Sequence, residues 1–253
     1  MTEDHTPMEL RWYTRKDAAP GSAVIYVHGG GMILGNLDLY DAIVSAYVTA
    51  TRVPFLSVNY RLAPEAHNTT LVEDAFAGVN WLIAHGPQLR VDPHRIAIMG
   101  DSGGGGVAAG TAIVARYRQV TLARQILIYP MLDDRNIVPN PLLVPFATWT
   151  YEQNETAFQA VLDGKQGSET VSPIAAPARL VDCSNLAPAY IEVGDLDIFR
   201  DEDIAYVQQL ARAGVPVELH VHPGVPHGFE RFAPNSTVAK RAIMDRLRVI
   251  QSL

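Results

Sequence analysis

The sequence predicts a single α/β domain, a mostly parallel sheet with helices on both faces. Short β-branched, apolar runs alternate with segments whose apolar residues recur at helical spacing. A Gly100-x-Ser102-x-Gly104 segment lies between one such run and one such helix. The 253 residues are 48% hydrophobic, enough for one full core.

Taken in order, residues 8–14 can lead in as a short strand, and 16–22 form a charged, Pro/Gly turn region. Residues 23–27 are β-branched and aromatic, the pattern of a buried strand. Residues 37–52 carry Leu39, Ile43, Ala46, Tyr47 and Ala50 at helical spacing. A strand at 53–59 and a loop at 60–65 follow. Residues 71–85 place Val72, Ala75, Phe76, Val79 and Leu82 on one helical stripe, which Gly86-Pro87 ends. Asp92-Pro93 turns the chain into the strand 95–99, and the small, apolar residues 105–118 form the next helix. Pro130 stops the strand 124–129. The alternation then breaks. Residues 133–185 hold five prolines, two helix-like pieces near 149–162, and the aromatics Phe146, Trp149, Tyr151 and Phe158. This stretch reads as an insertion over the carboxyl edge of the sheet, a lid that supplies apolar surface. Strands at 187–193 and 215–221, a helix at 198–213 and a loop at 222–229 complete the pattern. The closing helix 235–250 turns Val238, Ile243, Met244, Leu247 and Ile250 inward.

Composition narrows the functions. A net charge of −7 with scattered Lys and Arg argues against nucleic acid as a partner. The single cysteine, Cys183, allows no internal disulfide. The first residues are polar and acidic, unlike a signal peptide, and no apolar run approaches the roughly 18 residues of a membrane span. A cytoplasmic location is therefore expected, and a homodimer is left open.

Two glycine-rich turns carry the chemistry. A serine between strand and helix, flanked by Gly100 and Gly104, fits a nucleophile elbow, because so sharp a turn excludes neighbouring side chains. A plain glycine turn with an incidental serine has the same spacing. A phosphate loop is disfavoured, since no Lys-Ser/Thr pair follows the glycines. After the strand 23–27, His28-Gly29-Gly30-Gly31 leaves backbone N–H groups unshielded. Upstream of such an elbow, this loop resembles the oxyanion loop of lipases and esterases.

Ser102, Asp197 and His227 each follow a predicted strand, so all three fall at the carboxyl edge of the sheet. Of the eight histidines, His227 lies on a loop past the last strand, free to reach Ser102, whereas His28 is placed to brace the glycine loop. His220 and His222 have the i, i+2 spacing of a metal pair, but no third ligand accompanies them. Position alone leaves Asp195 and Asp197 as rival carboxylates.

Five segments in one order, His28-Gly29-Gly30-Gly31, residues 60–65 (YRLAPE), 100–104 (GDSGG), 197–202 (DIFRDE) and 226–229 (PHGF), resemble the hormone-sensitive-lipase-like family of α/β-hydrolase carboxylesterases. They span roughly residues 23 to 232. The resemblance puts the catalytic acid on Asp197. Phe199 stands where the family usually has Leu, and Gly103 where Ala is common; the group needed at 103 is a backbone N–H, so little harm is expected. Relatives usually carry a longer helical segment at the N-terminus, so a reduced lid and a more open pocket are expected here.

The resemblance implies a serine esterase acting on short- to medium-chain carboxylic esters through an acyl-enzyme. Ser102, Asp197 and His227 would be the triad and Gly29, Gly30 and Gly103 the oxyanion donors. Independently of the resemblance, the aromatics Phe146 and Trp149 of the lid, with Phe229, are expected to contact substrate. The resemblance implies no metal or organic cofactor. An acyltransferase, amidase or lactonase would use the same residues, and a binding protein on this scaffold would have lost them.

Overall fold

Short unbroken apolar runs, covered from both sides, produce one sheet. Its strands are β1 (Leu10–Tyr13), β2 (Gly21–Val27), β3 (Phe55–Val58), β4 (Val91–Asp101), β5 (Arg124–Ile128), β6 (Ala189–Gly194) and β7 (Val217–His222). They lie in the order β1-β3-β2-β4-β5-β6-β7. β1 pairs antiparallel with β3, and all other pairs are parallel. The computed structural model describes residues 2, 4–18 and 20–253. Met1, Glu3 and Ala19 lie outside the described residues, and with them part of the polar N-terminus and of the turn expected at 16–22.

Alternate residues feed two cores. Ala23, Ile25 and Val27 face the core shared with α2 (Thr70–Leu89), α3 (Gly103–Tyr117) and α5 (Arg200–Arg212). Val24 and Tyr26 face the core shared with α1 (Leu37–Thr51) and α7 (Thr237–Gln251). The stripe expected on α2 is buried throughout. The small side chains Ala108, Ala109 and Ala112 of α3 are buried in the first core, beside Ile98 of β4.

Several expectations need correcting. The buried stripe of α1 is Tyr40, Val44, Tyr47, Val48 and Thr51, rotated by one residue from the predicted one, and Leu39 is 70% exposed. Asn36 caps the helix by accepting the N–H of Leu39, and tertiary contact with the sheet sets the rotation. α2 does not end at Gly86-Pro87. Pro87 sits in the last turn, where a missing N–H forfeits only one bond, and the helix stops when Arg90 turns left-handed (φ 59°) and donates to the Gly86 carbonyl. Residues 92–95 are a bulge within β4, since Gly21 pairs with Val91 but Ala23 with Ile96. On α7, Met244 is 68% exposed and Arg246 is buried. Arg246 is buried because it pairs with Glu192 and Glu230 inside. The loop after β7 also contains a short helix, α6 (Phe229–Phe232).

Residues 133–185 hold one α-helix, α4 (Tyr151–Val161), with 3₁₀ turns at Val144–Phe146 and Pro177–Arg179 in place of a second helical piece. Thr150 and Gln153 form a capping box at its start. Buried Asp134 ties the ends of this stretch together: it accepts from Arg179 Nε at 2.6 Å and from the Gly167 N–H at 2.7 Å.

Candidate active site

β4 runs out at Asp101, α3 starts at Gly103, and Ser102 occupies the corner with φ 54° and ψ −124°. That conformation costs a non-glycine residue about 1–3 kcal/mol and persists only where its surroundings force it. Here the Ser102 N–H donates to the Ile128 carbonyl at 2.9 Å, and its carbonyl accepts from Met131 at 3.0 Å and Gly106 at 3.2 Å. The glycines are steric requirements. A Cβ on Gly100 would lie 2.2 Å from the Gly104 carbonyl oxygen, and one on Gly104 2.2 Å from that of Val27.

The three separated residues converge. Ser102 Oγ lies 2.9 Å from His227 Nε2, and His227 Nδ1 lies 2.7 Å from Asp197 Oδ2. Asp197 is fully buried just past β6, and its Oδ1 accepts the Phe199 N–H at 3.0 Å. Its rival Asp195 is committed elsewhere, accepting the Gly224 N–H at 2.6 Å. The imidazole is held by two ring edges, Tyr129 at 4.6 Å and Phe199 at 5.2 Å between centroids. Thr148 Oγ1 donates to the His227 carbonyl at 2.6 Å, joining residues 133–185 to the histidine loop.

The glycine loop lies directly over the elbow. A Cβ on Gly103 would come within 2.6 Å of the Met32 nitrogen and 2.9 Å of Gly31. The N–H groups of Gly29, Gly30 and Gly103 make no hydrogen bond to another described residue outside the strand ladder. Buried His28 stands beneath the loop, with Nδ1 2.9 Å from the Gly29 carbonyl and its ring between Tyr40 and Tyr60. Burial pushes its pKa down, so the brace is a neutral imidazole.

Between loop and triad is a cleft of about 190 Å³. Of the three predicted substrate contacts, Trp149 lines it, packed so close to Gly31 that a Cβ there would meet the indole at 2.6 Å. Phe146 and Phe229 do not line it. Phe146 points to solvent from its 3₁₀ turn, and Phe229 is buried against Ala239 and Ala242. α6 turns Phe229 inward and leaves Phe232, 70% exposed, at the cleft rim. Sequence reasoning also missed Tyr129, Asp101 and Arg231. Asp101, beside the serine, accepts from Tyr26 at 2.6 Å, Tyr40 at 3.2 Å and Arg231 at 2.7 Å. The Asp before Ser102 and the Tyr ending β5 were visible signals; nothing local marked Arg231.

Three other histidines serve other contacts. His85 stacks on Trp81 at 4.2 Å, His220 Nε2 lies 2.7 Å from Glu218, and His222 is buried 3.9 Å from Glu192. No helix among the described residues is long and apolar enough to cross a membrane.

A family profile described as alpha/beta hydrolase fold matches residues 24–231. Esterase LipI of Mycobacterium tuberculosis is 35% identical over 96% of this chain and 78% of its own length. Ethyl acetate hydrolase of Pseudomonas putida is 33% identical over 91% of this chain and 74% of its own. The structure of a bacterial heroin esterase superposes with a TM-score of 0.92 at 33% identity, covering 99% of this chain and 81% of that one. With the five motifs in place on this sheet, the chain belongs to the hormone-sensitive-lipase-like carboxylesterases of the α/β-hydrolase fold.

Proposed function

We propose that the protein is a serine esterase that hydrolyses short- to medium-chain carboxylic esters through an acyl-enzyme. The observation that carries this reading is the unbroken path from Ser102 Oγ through the His227 ring to Asp197, with steps of 2.9 and 2.7 Å. His227 Nε2 takes the Ser102 proton as Oγ attacks the ester carbonyl. Asp197 holds the tautomer with Nδ1–H toward it and stabilises the imidazolium. The tetrahedral oxyanion sits among the N–H groups of Gly29, Gly30 and Gly103; one such donor is worth about 2.7–4 kcal/mol in the transition state. The imidazolium then gives its proton to the leaving alcohol, and the same nitrogen activates the water that releases the acid.

Residues 133–185 act as a cap. Through Thr148 and Trp149 they wall one side of the cleft and leave the Phe232 side open. A cleft of about 190 Å³ supports small acyl groups rather than long chains.

The test is Ser102→Ala assayed on p-nitrophenyl acetate and butyrate. Turnover should fall by roughly 10⁴-fold or more while circular dichroism is unchanged. Retention of most of the activity would remove Ser102 from the mechanism.

A further inference from the structure

The apolar residues that helical spacing assigned to the core of α1 are not all used there. Ile43, Ala46 and Ala50 line a groove between α1 and α7, facing Ile243 and Leu247 across it, with Met99 of the sheet below. Its volume is about 340 Å³, within the range of small-molecule sites, and its surface is mostly apolar. Ala46 and Ala50, one turn apart and exposed, leave it open to the outside.

The inner end is polar. Glu230 accepts from Tyr129 Oη at 2.5 Å and from Arg246 Nη1 at 3.0 Å, both through Oε1. Its Oε2 is buried and meets no donor among the described residues. A buried carboxylate oxygen without a donor is costly, and buried polar atoms are rarely left so. Burial works to raise the Glu230 pKa, but Arg246 and Tyr129 outweigh it and hold the group ionised. Asp101 also lines this end, already satisfied by Tyr26, Tyr40 and Arg231. Among the described residues at this end the unmet need is thus for a donor, which an anionic headgroup does not bring, and the guanidiniums of Arg231 and Arg246 are already paired with Asp101 and Glu230.

We propose that this groove is a second binding site, for an uncharged amphiphile with an alkyl or aryl body and one hydroxyl. The body lies between α1 and α7, and the hydroxyl donates to Glu230 Oε2 once a turn of the Glu230 side chain brings that buried oxygen to the groove. The groove and the catalytic cleft share Asp101, Tyr129 and Arg231 as a common wall. The site is nonetheless separate, and it does not depend on the esterase reading.

Isothermal titration calorimetry with octan-1-ol tests it, with octyl methyl ether and octanoate as the donorless and anionic controls. Octan-1-ol should bind saturably, one per chain, and at least tenfold more tightly than either control. Ala46→Trp fills the groove from an exposed helix position and should weaken octan-1-ol at least tenfold with an unchanged melting temperature. Thr148→Trp narrows the catalytic cleft instead and should leave the affinity alone. Absence of saturable binding, equal affinity for the ether, or full affinity in Ala46→Trp would overturn the proposal. So would loss of binding in Thr148→Trp alone, since it would move the alcohol into the catalytic cleft.

Discussion

β6 carries a fully buried carboxylate, Glu192, and delivers another, Asp197, three residues beyond its end. Glu192 faces the α1–α7 side, where it pairs with Arg246 through Nε at 2.9 Å and through Nη2, and accepts from Tyr190 Oη at 2.6 Å. Asp197 faces the catalytic edge and pairs with His227. The partner decides the use. A guanidinium never gives up its proton, so Glu192–Arg246 can only hold structure. An imidazole exchanges protons near neutral pH, so Asp197–His227 can take part in chemistry. The two carboxylates, one within the strand and one just past it, are therefore expected to fail differently when broken.

Asp197→Asn should give the largest effect. It favours the wrong histidine tautomer and should lower kcat by about 10⁴-fold with little change in melting temperature. A variant with near-normal kcat would return Asp195 to contention. Arg246→Met should do the opposite. It leaves Glu192 and Glu230 buried without their cation, and denaturant titration should show a loss of about 3–5 kcal/mol. The folded fraction should keep its kcat/KM; a collapse of kcat/KM in fully folded protein would erase the contrast.

Gly103→Ala sharpens the catalytic side. The added methyl must push against Gly31 and Met32, shifting the loop that offers the oxyanion donors. A fall in kcat/KM of roughly 10²-fold is expected, carried by kcat. An unchanged value would mean that the loop yields freely, in keeping with the Ala common at this position in relatives.

The smallest effect concerns acid. Burial would raise the Glu192 pKa, but Arg246, His222 and Tyr190 outweigh it and hold the group at about 2, below its ordinary 4.5. Because the folded value lies below the unfolded one, ionised Glu192 stabilises the fold above about pH 4.5. That contribution is lost as the pH falls toward 2. Stability measured from pH 6 downward should decline through this window, and less steeply in Glu192→Gln. Parallel curves would assign the acid sensitivity to other carboxylates.

Not everything around these two carboxylates was equally open to sequence reading. The elbow, the glycine loop and the strands announce themselves because their demands are local: no room for a Cβ at Gly100 and Gly104, and unbroken apolar runs where both faces are covered. The rotations of α1 and α7 do not. A face of about 100° can turn by one residue and still look apolar, so the pattern points Leu39 and Met244 inward and gives no sign that Arg246 is buried. Phe146 and Phe229 were assigned to substrate by chemistry alone, and only the course of the chain around them shows which aromatic meets the cleft.

By itself the sequence determined the sheet, the elbow, the glycine loop and the set of groups that could act, because each follows from what neighbouring residues permit. Tertiary structure alone joined Ser102 to His227 across 125 positions, gave Asp195 to the Gly224 N–H and Asp197 to the imidazole, buried Arg246, and left a groove beside it. Those outcomes depend on distances between segments remote in the chain, and no local pattern encodes such distances.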